Sequence, residues 1–193
     1  MTKGTTLGRR GFFSLSAAIA AASASTVLLP SAALAAPAIT GKAAATATRT
    51  LNIVNVNTGE SGKFLYWEQG RYLPEAMRRI EHILRDRRND ETHEISPELV
   101  DLIVALGRKL NSDAPFQIVS AYRSHESNEE MAATKRGVAK RSYHMQGKAV
   151  DLRMPNRGLH MVRGAALQLK AGGVGYYPRS NFVHVDVGPV RRW

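Results

Sequence analysis

The sequence predicts an α+β fold: a single domain built on a small antiparallel sheet with flanking helices. Three observations predict it. Short segments of two-residue apolar alternation recur along the chain, longer segments with apolar residues three and four apart stand between them, and there is no internal repeat. Once an N-terminal leader is set aside, about 157 residues remain, a length that suits one ordinary hydrophobic core.

The leader is "MTKGTTLGRRGFFSLSAAIAAASASTVLLPSAALAA". It carries Lys3, Arg9 and Arg10 without an acidic residue, then an Ala-rich apolar run from Phe12, then small residues around Ala33-Leu34-Ala35. These are the three regions of an export signal, so residues 1–36 are expected to be a signal peptide cleaved near Ala35 or Ala36. The paired arginines ahead of Gly11, Phe12 and Phe13 point to the twin-arginine route. A membrane anchor is the alternative: the run approaches the ~20 residues needed to span, but it is rich in Ala and Ser and is broken by Pro30. In both cases the bulk of the chain is expected outside the cytoplasm. Residues 37–50 are small and polar enough to be a flexible linker, which leaves residues 51–193 as the folded domain.

Within that domain, "LNIVNV" (51–56) and "KFLYW" (63–67), joined by "NTGESG", read as a β-hairpin. Residues 74–88 read as a helix, with Met77, Ile80 and Leu84 on one face and an arginine-rich face turned to solvent. Ser96-Pro97 opens a second helix, whose apolar stripe is Leu99, Leu102, Ile103, Leu106 and Leu110. "FQIVSAYRS" (116–124) reads as a strand ending at Arg123, followed by a polar helix over about 127–136. "KAVDLRM" (148–154) alternates, with Val150, Leu152 and Met154 on one side and Asp151 on the other. Residues 159–171 suit a helix, "AGGVGYYPRSN" a glycine-rich loop, and "FVHVDV" (182–187) a strand that turns His184 and Asp186 away from its valines.

Two strands therefore each present a metal-type ligand opposite their aliphatic face. His144 enters the first, Asp151 lies within it, and His184 lies in the second; a sheet pairing the two would bring all three to one face. Three nitrogen or oxygen ligands with one open position are what a catalytic zinc site uses. Gly147 would allow a tight turn between His144 and the strand. Asp186, on the same face as His184, could orient a ligand, bind substrate or handle protons. Spacing alone leaves a second reading open, in which these are ordinary polar residues at strand ends. His82, His93, His125 and His160 fall in polar helices or turns and read as surface histidines, although His125 and His160 flank the motif regions.

Other chemistries are excluded. The chain has no cysteine, which removes disulfides, thiolate metal sites and a cysteine nucleophile. It contains neither a G-x-S-x-G elbow nor an H-E-x-x-H helix. Without the leader's three basic residues, 24 remain against 16 acidic ones, a charge near +8. Such a surface favours a polyanion, and for an exported protein that means cell-wall polymer or anionic lipid and not nucleic acid. With no heptad pattern, a monomer is expected.

The pattern S-x-H-x-x-G-x-A-x-D, as Ser142, His144, Gly147, Ala149 and Asp151, followed by His184-x-Asp186, resembles the zinc D-Ala-D-Ala carboxypeptidase and murein endopeptidase group, whose fold is shared with the Hedgehog signalling domain. "SAYRS", "RGVAKRSYH", "AGGVGYYPRSNFVHVDVGP" and the terminal "RRW" are similar to its MepK-like murein endopeptidase branch, over residues 51–193. The resemblance implies one zinc ion held by His144, Asp151 and His184, with Arg123 polarising the scissile carbonyl or stabilising the oxyanion. It implies a periplasmic zinc peptidase that cuts peptide cross-links between peptidoglycan stem peptides, including the diaminopimelate–diaminopimelate (3-3) type associated with that branch. Carboxypeptidase relatives carry a Glu three residues before the last ligand, and others a His two before it. Asn181 and Phe182 stand there in this chain. That leaves the general base to Asp186 as candidate, and leaves as alternatives a D-Ala carboxypeptidase or an inactive wall-binding module.

Overall fold

The fold is given by a computed structural model that describes residues 48–134, 139 and 141–193. The leader therefore lies outside the described residues. Among them no helix is long and apolar enough to cross a membrane.

Strands β1 (Arg49–Asn55) and β2 (Ser61–Glu68) form the expected hairpin. It starts at Arg49, inside the stretch expected to be linker, because the Arg49 guanidinium is anchored at 2.7 Å to Asp101. A short strand β3 (Arg71–Tyr72) extends the hairpin. Helix α1 (Pro74–Ile83) ends five residues before the boundary set by its apolar spacing. The carbonyls of Ile83 and Leu84 are taken by the Asn55 side-chain amide and the Tyr122 backbone N–H, both at 2.9 Å. These partners from elsewhere in the fold satisfy carbonyls that the end of the helix leaves without an intrahelical donor. The segment carrying Arg85, Arg87 and Arg88 becomes a loop.

Helix α2 (Pro97–Lys109) matches expectation, with Pro at its first turn and Leu99, Ile103 and Leu106 fully buried. Strand β4 (Phe116–Ser120) stops short of Arg123. Its pairing slips between Ile118 and Ser120, and the Tyr122 N–H turns away to Leu84, so residues 121–124 leave the sheet. Helix α3 (His125–Thr134) follows; the last two residues of the helix expected there lie outside the described residues. Strand β5 (Ala149–Arg153), helix α4 (Leu159–Leu169) and strand β7 (Phe182–Asp186) appear where alternation and helical spacing put them.

The glycine-rich "loop" contains a strand, β6 (Gly173–Tyr177). Its glycines are there because neighbours approach too closely for a side chain. A Cβ on Gly172 would meet the Asp186 carbonyl oxygen at 1.8 Å, and one on Gly175 would meet the Trp193 indole at 2.7 Å. The chain closes with β8 (Arg191–Arg192).

The sheet is neither small nor wholly antiparallel. Its eight strands run in the order β3-β2-β1-β4-β5-β7-β6-β8, with β1/β4 and β6/β8 parallel. Helices α1 and α2 occupy the β3-to-β4 connection, and such a crossover is what parallel pairing of β1 with β4 requires. The class remains α+β, since helices pack against an otherwise antiparallel sheet. Val150 and Leu152 of β5 and Val183 and Val185 of β7 are at most 1% exposed and share one core with α2 and α4. β5 is central in the sheet, so its opposite face is covered as well, by the residues described next.

Candidate metal centre

Asp151 and His184 occupy directly paired positions on β5 and β7, so their side chains leave the same face of the sheet side by side. His144 reaches them from a single 3-10 turn, Tyr143–Gln146. Ser142 caps that turn by accepting the His144 backbone N–H. Gly147 ends it with φ 62°, at a point where a Cβ would lie 2.1 Å from the Glu94 carbonyl oxygen. The loop after α1 thus braces the turn, and Ser96 N–H donates to the Gly147 carbonyl at 3.0 Å.

The three side chains converge on one point. His144 Nε2, Asp151 Oδ1 and His184 Nδ1 are separated by 2.9 Å (Asp151 to His184), 3.2 Å (the two imidazoles) and 3.4 Å (His144 to Asp151). Hydrogen-bond partners on the far sides fix the tautomers. His144 Nδ1 lies 2.6 Å from the Ala121 carbonyl oxygen, which only accepts, so this nitrogen carries the proton. His184 lies between two carboxylates, with Nε2 3.1 Å from Asp186 Oδ2 and Nδ1 2.9 Å from Asp151 Oδ1; when Nε2 donates to Asp186, Nδ1 is the nitrogen left to face an ion. The facing atoms are two imidazole nitrogens and a carboxylate oxygen, and with the outer nitrogens donating, both inner nitrogens can offer lone pairs to an ion. A proton at the centre bridges one pair and leaves the third acceptor opposed, whereas a metal ion satisfies all three. Ligands at 2.0–2.1 Å in a tetrahedral site are about 3.3 Å apart, so the triangle also has the right size for zinc.

The electrostatics of the cluster without an ion favour charged groups facing one another. Burial raises the pKa of Asp151, but the His144 and His184 imidazoles outweigh it and hold the carboxyl well below the usual range. For His184 burial acts downward, yet Asp151 and Asp186 together raise its pKa. Asp186, 0% exposed, is pushed up by burial and pulled down further by His184, by Arg191 and by the N–H groups of Gly188 and Gly173. Its two oxygens receive all of these bonds at 2.7–3.1 Å. Asp186 therefore sits behind His184 with no free face toward the solvent.

Arg123 lines the same cleft as the three ligand-type residues. It is 6% exposed, donates to Asn128 Oδ1 at 3.1 Å, and its Nε has no partner. Among the described residues no carboxylate pairs with it, and residues 1–47, 135–138 and 140 include no acidic residue. Burial accordingly lowers its pKa, with Asp151 acting in the opposite sense. His125 and His160 are exposed and do not line the cleft.

The cleft has a volume of about 800 Å³. Some of its walls were invisible in the sequence. Trp193 packs 5.3 Å from the His184 ring in the space Gly175 leaves free, and donates from its indole nitrogen to the Tyr177 hydroxyl at 2.7 Å. Arg191 grips Asp186 from a strand of two residues, too short for any periodicity to signal. The Ala121 carbonyl leaves no trace in residue type at all.

Fold and site together define an α+β protein with a His–Asp–His cluster of metal-site geometry on the floor of a basic cleft. A family model described as Peptidoglycan L,D-endopeptidase MepK matches residues 43–193, and the chain belongs to that family. Relatives named peptidoglycan L,D-endopeptidase MepK from Escherichia coli (strain K12) and Shigella flexneri are each 44% identical over 145 residues, covering 75% of this chain and 80% of theirs. A probable peptidoglycan L,D-endopeptidase MepK from Haemophilus influenzae is 39% identical over 148 residues, covering 75% and 78%.

Proposed function

We propose that this chain is a periplasmic, zinc-dependent peptidoglycan endopeptidase that hydrolyses peptide cross-links between stem peptides, with the 3-3 link between two diaminopimelate residues as its substrate. Residues 1–36 are its twin-arginine export signal and 37–48 a linker, and the processed chain works as a monomer. The observation that carries the reading is the convergence of two imidazole nitrogens and a carboxylate oxygen within 3.4 Å of one another. His144, Asp151 and His184 are the residues that would hold the ion. Zinc in such a site supplies Lewis-acid chemistry, polarising a carbonyl and making water nucleophilic near neutral pH.

The chain's own residues then divide the remaining work. Ala121 and Asp186 fix which ring nitrogens of His144 and His184 face inward. Arg123, buried without a carboxylate partner, offers its guanidinium to the substrate carbonyl oxygen as negative charge develops there. Asp186 was open to three roles in the sequence, and its saturated, inaccessible carboxylate supports orientation of His184 above proton transfer. A second reading is favoured by one observation: Asp151 is the only acidic residue lining the cleft among the described residues, so a dedicated base is missing and the protein would bind wall peptide without cutting it. Digestion of purified sacculi separates the two. Mass spectrometry is expected to show 3-3 cross-linked dimers converted to monomers by the zinc-loaded protein and not by His184→Ala; intact dimers in both reactions would leave only the binding reading.

A further inference from the structure

Among the described residues five arginines line the cleft, and the ion cluster does not use all of them. Arg191 is neutralised by Asp186 at 2.7 Å, and Arg123 is buried beside the candidate ligands. Arg88 lies 3.8 Å from the buried Asp86, whose carboxylate also takes the N–H and hydroxyl of Ser124. Arg87 and Arg141 are exposed and make no ion pair among the described residues, and no residue outside them is acidic. Asp151 is the only acid on the lining and faces the two imidazoles. The cleft therefore carries uncompensated positive charge, contributed by Arg87 in the loop after α1 and by Arg141, the residue preceding the Ser142 cap.

Neither arginine belongs to a helix. Arg87 reaches the cleft from the loop that follows the end of α1 at Ile83, where Asn55 and Tyr122 take the carbonyls of Ile83 and Leu84. Arg141 directly precedes the Ser142-capped turn that delivers His144. The same local structures that assemble the cluster thus present free guanidinium groups to whatever occupies it. A guanidinium is planar, permanently charged and matched to a carboxylate through two parallel N–H bonds.

We propose that Arg87 and Arg141 form a carboxylate subsite that selects cross-linked peptides bearing a free α-carboxylate beside the scissile bond and discriminates against the same peptides with that group amidated. The inference rests on the endopeptidase reading above and deepens it by naming the substrate feature recognised. A carboxamide keeps the size of a carboxylate but loses its charge and one acceptor oxygen, leaving N–H donors of the arginines opposed to an N–H₂ group. Discrimination arises from that mismatch.

The test uses two synthetic cross-linked stem peptides that differ only in whether this carboxyl is free or amidated, with the zinc-loaded full protein and its Arg87→Gln, Arg141→Gln and double variants. Wild type is expected to favour the free acid in kcat/KM by about tenfold or more, as for loss of a charge-assisted hydrogen bond. The ratio should shrink in each single variant and approach one in the double variant, and 0.5 M salt should shrink it in wild type. Equal cleavage of both peptides by wild type overturns the subsite while leaving the endopeptidase reading intact. An undiminished ratio in the double variant overturns the assignment to these arginines. Failure to cut either peptide overturns the endopeptidase reading and this inference with it.

Discussion

At His184 the two ring nitrogens do different jobs, and the residues behind the ring decide which does which. Asp186 holds the outer nitrogen and is itself held by Arg191 and two backbone N–H groups, so the inner nitrogen is fixed toward Asp151 and His144. Asp186→Asn is expected to weaken zinc binding by about 10- to 100-fold, since partners of this kind set ring orientation and ligand basicity. Competition with a chromophoric chelator measures it. Undiminished affinity together with a large loss in kcat would instead return Asp186 to proton transfer. At this scale the sequence was informative where residue type carries chemistry: His144, Asp151, His184 and Arg123 could all be named, and the structure gathers them around one cleft. It was silent on Ala121, which acts through a carbonyl, and on Arg87, Arg141 and Trp193, whose relation to the cleft depends on where helices end and where a glycine leaves room.

Among the elements, the turn at 143–147 has the least tolerance. Gly147 combines a left-handed backbone with a close approach to the Glu94 carbonyl, so Gly147→Ala must strain the backbone and displace the 94–96 loop at once. A loss of about 2 kcal/mol or more in urea unfolding is expected. A change below 0.5 kcal/mol would show that the turn relaxes freely. Periodicity found β1, β2, α2, β5, α4 and β7 because each buries a regular face. It missed β6, where Gly173 and Gly175 remove the side chains that alternation is read from. It overextended α1 and β4 for one shared reason, the long-range hydrogen bonds that Ile83 and Leu84 accept from Asn55 and Tyr122, which no local pattern announces.

For the molecule as a whole, the β3-β2-β1 end of the sheet is tied to α2 through one carboxylate. Asp101 accepts the Arg49 guanidinium at 2.7 Å and the hydroxyls of Tyr66 and Tyr72 at 2.7 and 2.8 Å. Burial raises its pKa, but these three donors prevail and lower it. A depressed folded-state pKa contributes stability above the unfolded value, and that stability is lost as pH falls through the folded value. Asp101→Asn is therefore expected to cost about 2 kcal/mol at pH 7, a value typical of hydrogen bonds to a charged group. The difference from wild type should narrow in thermal melts below pH 4, and a difference independent of pH would assign the cost to packing. The mixed order of the sheet was beyond the sequence because parallel pairing of β1 with β4 is set by where α1 and α2 pack and not by any residue within the strands.

The central claim is that His144, Asp151 and His184 together hold one zinc ion, and metal content measures it most directly. The protein purified without chelator and then equilibrated with excess zinc and desalted is expected to retain about one zinc per chain by elemental mass spectrometry, as a three-ligand site should. His144→Ala, Asp151→Ala and His184→Ala should each retain well under a tenth of that while keeping the wild-type far-ultraviolet circular dichroism spectrum. Stoichiometric zinc in any of the three variants, or none in the wild type, would contradict the account.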